Sequence, residues 1–421
     1  MKDMLGREEL VTSAEAADRI AREFPVPGRS GTERVPLASG LGRVLAEDLA
    51  SPEDLPPFDR STVDGFALAA ADTFGATDAM PAYLKLAGEV AMGERPVLRV
   101  GKGETVRIWT GGMLPEGADA VMMLEHASVI DHETVECVKA VAPGENVLFR
   151  GEDVTNGEAV LPRGHRLRPQ DLGALAGLGI VELPVFKKPR VAVLSTGDEI
   201  VPAEATPSLG QIRDINAYTL IGLIAEAGGE ALYRGIVPDD REALRRAIGS
   251  ALDSADIVVL SGGSSVGVRD MTPEVLNEMG KPGVFLHGVS IRPGKPVLAA
   301  NMDGKPVFGL PGNPAAVALT FELFVEPVIR SWAGELGTES AFLRTVRARL
   351  ARRIASSMGR EDYVRVRLEE RDGEWWAVPV LGKSGLITTL VRAGGTVVIP
   401  LHKTGFEAGE IVDVRLFGQR G

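Results

Sequence analysis

The chain has 421 residues, 44% hydrophobic and 25% charged, the balance of a globular protein with room for roughly three ordinary domains. Its formal charge of -12 argues against nucleic acid or an anionic membrane surface as the main partner, so an anionic ligand needs a local cationic pocket. The single cysteine, Cys137, excludes an intrachain disulfide and a multi-cysteine metal site and fits a reducing compartment. The opening MKDMLGREEL shows no secretory pattern and no apolar run reaches the length of a membrane span, so the expected location is the cytoplasm.

Residues 12–24 read as a helix, with Thr12 and Glu15 spaced as a capping box and Ala14, Ala17, Ile20, Ala21 and Phe24 on one face. In LPPFDRSTVDGFAL, residues 55–68, Asp59 and Asp64 flank small hydroxyl residues on a constrained backbone. That suits a ligand-facing loop, with a solvated turn as the alternative. From about residue 83 to 149 short alternating runs recur, and they predict a small all-β module inserted in the chain. Thr110-Gly111-Gly112 ends its central strand and is its one marked polar spot. The charged turn from Arg150 to Asp153 leaves the module, and residues 170–179 read as a small-residue helix.

At Arg190 the pattern becomes βαβ. RVAVLS is a buried strand ending in Thr196-Gly197-Asp198-Glu199, and helices follow over residues 216–228 and 241–252. The run 257–260 is short, apolar and mostly β-branched, as expected of a strand buried on both faces of a parallel sheet. A glycine-rich turn from Ser261 to Gly267 follows, then Arg269 and Asp270, then a helix with Thr272 as N-cap and Pro273 first. This turn matches neither GxGxxG nor GxxxxGK[ST], so by itself a flexible loop is the competing reading. Strands over 284–287 and 296–300 flank a turn carrying Arg292 and Lys295. A strand over 307–310 leads into Pro311-Gly312-Asn313-Pro314, with Asn313 capping a helix whose free amides form an anion site. Beyond residue 334 the texture is β again, a small domain or barrel whose most site-like turn is Lys383-Ser384-Gly385.

In a parallel sheet these strand ends share one edge. Amides with two cations suit a phosphate or oxyanion, and carboxylates beside them suit a divalent cation, most simply Mg²⁺. No zinc motif and no GxSxG elbow is present, and His287 reads as a core or turn residue, so electrostatic stabilisation rather than covalent catalysis is indicated.

The stretches PPFDRSTVDGFAL, WTGGMLPEGADAVMMLE, RGEDV, VAVLSTGDEIV, GQIRDINAY, VLSGGSSVGVRD, IRPGKP and GLPGNPAA, in this order, resemble the molybdopterin molybdenumtransferase family, which includes the gephyrin E domain. The resemblance implies a multidomain α/β plus β fold. Its parts are an elongated domain from residues 1–60 and 150–188, an inserted β-module over 61–149, a doubly wound parallel-sheet molybdopterin-binding domain over 189–333 and a C-terminal β-domain over 334–421. It implies a homodimer with a cleft between subunits. The reaction it implies inserts molybdate into adenylylated molybdopterin with Mg²⁺ assisting, and cofactor and AMP leave. Tungstate in place of molybdate stays open. Protein partners it suggests are the adenylyltransferase of the preceding step and the molybdoenzymes.

Carried over, Asp64, Thr110, Asp153, Glu199 and Asp270 are catalytic positions, with Glu199 and Asp270 holding the metal. Asp239, Arg292, Pro311 and Pro314 match substrate-binding positions, and Gly262, Gly263, Ser264, Lys295 and Ser384 join them from the residue pattern of their turns. Relatives often carry a cation four residues before the one matching Arg292, where this chain has Gly288; Lys295 or Arg269 stands as a substitute. Two alternatives remain. An adenylyltransferase would resemble residues 190–330 alone, and a receptor-clustering scaffold would carry a second α/β domain and a long linker.

Overall fold

A computed structural model describes residues 10–25, 29–262, 271–335, 345–383 and 385–417. The chain forms two compact units. One comprises residues 48–162 and 169–182, and the other residues up to 47, 163–168 and from 183 onward.

The second of these units contains an α/β sheet. Its strands are β1 (Arg190–Thr196), β2 (Glu230–Val237), β3 (Ile257–Ser261), β4 (Pro282–His287), β5 (Leu298–Met302) and β6 (Lys305–Leu310). Its helices are α1 (Asn216–Glu226), α2 (Arg241–Ser254), α3 (Thr272–Met279) and α4 (Pro314–Thr320). The spatial order is β2-β1-β3-β6-β5-β4. Alternate residues of the central strands enter different cores, which is why these strands read as unbroken apolar runs. Val191, Val193, Ile257, Val259 and Phe308 pack with Leu220 and Ile224 of α1 on one face. Ala192, Leu194, Val258, Leu260 and Val307 pack with Leu244 and Ile248 of α2 and Val275 of α3 on the other. Each fully buried aliphatic or aromatic side chain contributes about 1.5–3 kcal/mol.

The doubly wound sheet expected from the sequence is present, with one difference. Strands β2, β1, β3 and β6 run parallel, but β5 is antiparallel to β6, and β4 to β5. The reversal comes from Asp303-Gly304, a two-residue turn closing Met302 against Lys305, with φ of 54° and 91°. Asp-Gly with both residues left-handed is the turn whose twist matches a hairpin.

The N-terminal helix Ser13–Glu23 starts with both halves of the capping box, Glu15 N–H to Thr12 Oγ1 at 3.1 Å and Thr12 N–H to Glu15 Oε2 at 2.8 Å. Its buried stripe is Ala16, Ile20 and Phe24, and it packs on the α1 side of the sheet. Ala14, Ala17 and Ala21 are exposed, contrary to the expected face. Ile20 and Phe24 carry most of the burial and fix the stripe, which Ala16, four residues before Ile20, continues.

The C-terminal region closes into a five-stranded barrel. The strand Glu361–Arg371 pairs with both Glu374–Pro379 and Gly395–Ile399. Thr345–Leu350 and Ile411–Leu416 complete the ring. Ile291–Arg292 adds to it as a short sixth strand, parallel to Glu361 and Asp362.

The other unit carries a six-stranded sheet, Ala120–Met123, Gly65–Leu68, Glu104–Ile108, Ala82–Glu89, Thr134–Cys137 and Ala127–Val129 in spatial order. Phe66, Leu68, Met122, Val135 and Cys137 form one of its cores, and Ala67, Val106, Ile108 and Val121 another. Among the described residues no helix is long and apolar enough to cross a membrane.

Candidate functional site

Strand register places the candidate residues of the α/β sheet on one edge. Ser195 lies opposite Ser261, Ser261 opposite Leu310, Thr196 opposite Val237, Gly309 opposite Leu298, and Leu298 opposite His287. The turns that follow or join these residues carry Glu199, Asp239, Gly262, Pro311, Pro314 and Lys295. This is the carboxyl edge of the parallel strands, where open α/β sheets bind ligands.

Close backbone approach holds this edge together. Gly262 donates its N–H to Leu310 O at 3.1 Å and has φ of 101°. A Cβ there would sit 2.5 Å from Thr196 O and 2.8 Å from Thr196 Oγ1. A Cβ on Gly312 would lie 3.8 Å from Gly262 Cα, so the chain after β3 and the chain after β6 run close together at these glycines. Asp198 Oδ1 accepts the Asp239 N–H at 3.0 Å, tying the turn after β1 to the one after β2. Asp240 Oδ1 caps α2 through Ala243 N–H at 2.8 Å. The Glu199 carboxylate folds over Gly197 at the exposed rim.

Asn216, which the sequence reading left inside a helix, belongs to this edge. Its Nδ2 donates to Ser261 Oγ and to Gly312 O, both at 2.8 Å. Asp214 Oδ1 accepts Ala217 N–H at 3.1 Å and its Oδ2 accepts the Tyr233 hydroxyl at 3.0 Å. Burial, with the Asp214 charge behind it, pushes the Tyr233 hydroxyl well above its usual range, so it stays a donor. The hydroxyls of Ser195 and Thr196 are buried without a hydrogen-bond partner among the described residues.

Gly263, Ser264, Arg269, Asp270 and Ser384 lie outside the described residues. Two helix starts differ from expectation. The N-cap of α3 is Met271, and Thr272 is already helical, because Pro273 fits either of the first two helical positions. Asn313 is the N-cap of α4, but its backbone oxygen, not its side chain, takes the bonds, from Ala316 N–H at 2.8 Å and Val317 N–H at 3.0 Å.

Arg292 lies on the strand that joins the barrel. Its Nη1 is 3.6 Å from Asp362 Oδ2, and its side chain is 63% exposed. Lys295 closes the same loop through its backbone, its oxygen accepting Val289 N–H at 2.9 Å. Arg365, which the sequence reading passed over, is half-buried and hydrogen-bonded to Thr389 Oγ1. Burial lowers its pKa, against the opposing pull of Glu322. With Pro293, Ala315, Leu319 and Tyr363 it lines a cavity between α4 and the barrel.

The unit of residues 48–162 and 169–182 brings its own set together. Asp64 Oδ1 accepts Thr110 N–H at 2.8 Å and the Thr110 hydroxyl at 2.7 Å. The backbone bond, then the hydroxyl, hold the Asp64 carboxyl below the usual carboxylate range. Asp59 Oδ1 accepts Arg150 N–H at 2.7 Å. Asp54 accepts from Arg150 Nε at 2.7 Å and from Asn156 N–H at 2.8 Å. Asp153 is fixed by its own N–H to Leu55 O at 3.1 Å, and its side chain is exposed.

Among the described residues no three His, Cys, Asp or Glu side chains converge as a metal site. Glu199 makes no side-chain hydrogen bond to a described residue and faces solvent at the rim. One carboxylate, waters and a substrate phosphate are a donor set that fits Mg²⁺.

Residues 11–179 match the family model "MoeA N-terminal region (domain I and II)", 192–331 "Probable molybdopterin binding domain", and 347–417 "MoeA C-terminal region (domain IV)". A putative molybdopterin biosynthesis protein of Methanocaldococcus jannaschii is 38% identical over 91% of this chain and 92% of its own. The molybdopterin molybdenumtransferase of Bacillus subtilis is 32% identical over 98% of this chain and 95% of its own. The crystal structure of the molybdopterin biosynthesis protein MoeA of Pyrococcus horikoshii OT3 is similar at a TM-score of 0.82. It is 33% identical and covers 97% of this chain and 100% of its own.

Proposed function

The chain belongs to the MoeA family along nearly its whole length, and from that premise we propose its reaction: insertion of molybdenum into molybdopterin, in molybdenum cofactor biosynthesis. The enzyme is a transferase. The observation that carries the assignment to this site is the close approach of Thr196 at the end of β1, Gly262 after β3 and Gly312 after β6, with no room for a side chain at Gly262.

In finer terms, the substrate is adenylylated molybdopterin, with molybdate or tungstate entering and AMP leaving. The phosphate-bearing part of the substrate lies on the sheet edge, among Gly262, Gly263, Ser264, Asp239, Pro311 and Pro314. The oxyanion is met from the loop of Arg292 and Lys295, with Ser384 contributing. Arg365 supplies the desolvated cation that Gly288 does not, which offsets the departure from the family pattern. A guanidinium withdrawn from water forms stronger charge-assisted bonds to an oxyanion than an exposed one. Asp64, Thr110 and Asp153 act as catalytic residues, and the bonds from Thr110 hold the Asp64 carboxylate in place.

Mg²⁺ fits the exposed Glu199 together with Asp270, and when bound it offsets negative charge on the phosphate. Glu199 and Asp270 then orient the substrate's leaving group. The working division of the chain is the four-domain one, with boundaries at about residues 60, 150, 188 and 333. Function in a cytoplasmic homodimer completes the reading, with the adenylyltransferase and the molybdoenzymes as its neighbours in the reaction sequence.

The test is single-turnover AMP release from adenylylated molybdopterin and molybdate across a Mg²⁺ series. The wild-type protein is expected to release AMP in a molybdate-dependent way. Asp270→Asn is expected to bind molybdopterin, release AMP far more slowly, and recover partly at excess Mg²⁺. No AMP release by wild-type protein would reject the reaction. A wild-type rate and Mg²⁺ dependence in Asp270→Asn would move the metal elsewhere.

A further inference from the structure

One side chain in the α/β region bonds two of the ligand-bearing turns at once. Asn216 stands at the first position of α1, and its amide nitrogen reaches Ser261 Oγ and Gly312 O at 2.8 Å each. The carbonyl of Gly312 only accepts, so the nitrogen must face it and the orientation of the amide is fixed by chemistry. Ser261 immediately precedes Gly262, and Gly312 sits between Pro311 and the start of α4. One planar group therefore sets the spacing of the turns after β3 and β6. Asn216 Oδ1, by contrast, is buried without a hydrogen-bond partner among the described residues. A buried acceptor left unpaired costs stability, and such exceptions in a native structure call for a reason. The helix start that carries Asn216 is itself held from two sides, by Asp214 capping Ala217 N–H and by Tyr233 on Asp214.

We propose that Asn216 is a positioning residue for molybdopterin binding, holding the turns of Gly262 and Gly312 at the separation the phosphate-bearing end of the substrate requires. This rests on the reading that the sheet edge holds the molybdopterin. Aspartate has the same shape but cannot donate when ionised. Asn216→Asp keeps the contact to Ser261, whose hydroxyl can turn and donate, and sets oxygen against oxygen at Gly312. Ser261→Ala removes one of the two bonds and leaves the Gly312 contact intact.

The experiment is steady-state AMP release by the full chain with both substrates varied, alongside thermal unfolding of the ligand-free protein. In Asn216→Asp the KM for adenylylated molybdopterin is expected to rise about tenfold, the scale of a lost hydrogen bond. The KM for molybdate should stay near wild type, while the unfolding temperature falls modestly because oxygen then faces oxygen at Gly312. In Ser261→Ala the same KM is expected to rise about threefold. If Asn216→Asp does not fold, the Ser261→Ala result decides. An unchanged KM for adenylylated molybdopterin in the folded variants overturns the positioning role. So does a parallel loss in both KM values and unfolding temperature, which marks general destabilisation. If wild-type protein itself releases no AMP, the reaction assigned above fails, a result separate from either of these.

Discussion

At the edge of the α/β sheet the turns are held by backbone against backbone. Gly262 fits against Thr196, Gly312 against Gly262, and the side chains that intervene, Asn216 and Asp198, bond main-chain groups. In the unit of residues 48–162 and 169–182 the corresponding loops are held by carboxylates, exposed at Asp64 and half-buried at Asp54 and Asp59. Asp54, Asp59 and Asp64 each accept a backbone N–H from a distant loop. The first construction is stiff where Gly262 meets Thr196, because backbone has no side chain that can rotate away. The second depends on charge and solvent, and it leaves its carboxylates accessible. The same residue type thus serves as scaffold and as candidate reactive group, and only its surroundings separate the two roles.

The sharpest test of this contrast is Gly262→Ala. A methyl group 2.5 Å from a backbone oxygen, at positive φ, is expected to cost about 3 kcal/mol and to abolish AMP release. Urea unfolding and the AMP assay together check it, and full stability would show that the edge yields. For the other region, Asp64→Asn keeps both bonds from Thr110, because the amide oxygen still accepts. Unfolding temperature should fall only slightly while kcat falls about 100-fold, the scale of a lost electrostatic contribution at a reacting centre. A matching loss of stability would make Asp64 scaffold after all.

A pH series sharpens the same point. The folded-state pKa of Asp64 lies below its unfolded value, so what its bonds add to stability is present above the ordinary carboxylate range. It disappears as pH falls through that lowered value. Asp64→Asn, which carries no charge at any pH, should therefore fall slightly below wild type in stability at neutral pH and converge with it in acid. Arg292→Ala is expected to weaken oxyanion binding by about 1.5–3 kcal/mol, measured by titration with molybdate. Arg365→Ala should match or exceed it, since Arg365 is the less exposed cation. The smallest effect belongs to Cys137. Burial, then the Glu136 charge, push its thiol up to about 11, so alkylation should be negligible in native protein and complete in denaturant.

The core strands were legible because burial on both faces leaves no room for polar residues, as in Ile257 to Leu260. The edge was legible through its glycines, and Asp64 with Thr110 through their motifs. The reversal at Asp303-Gly304 also had a sequence signal, an Asp-Gly pair between apolar runs, which the expectation of a uniform parallel sheet obscured. Arg365 had none. By spacing it shares a strand face with Arg367, yet Arg367 is exposed and pairs with Glu369, while Arg365 lies under Thr389. Only the placement of the helix Ile387–Arg392 distinguishes them. Asn216 was hidden for a similar reason: its partners are 45 and 96 residues away in sequence.

The interleaving of the two units has a consequence for how the chain is made. All residues of the β-rich unit precede residue 183, so it can close while synthesis continues. The other unit begins first and finishes last. Ile20 and Phe24 share a core with Phe308 and Trp332, which emerge nearly three hundred residues later. At ribosomal speed that delay is roughly 15–60 s, during which an amphipathic helix has no docking surface. A nascent-chain complex stalled before residue 300 should therefore leave the helix Ser13–Glu23 open to protease while residues 48–162 are already resistant.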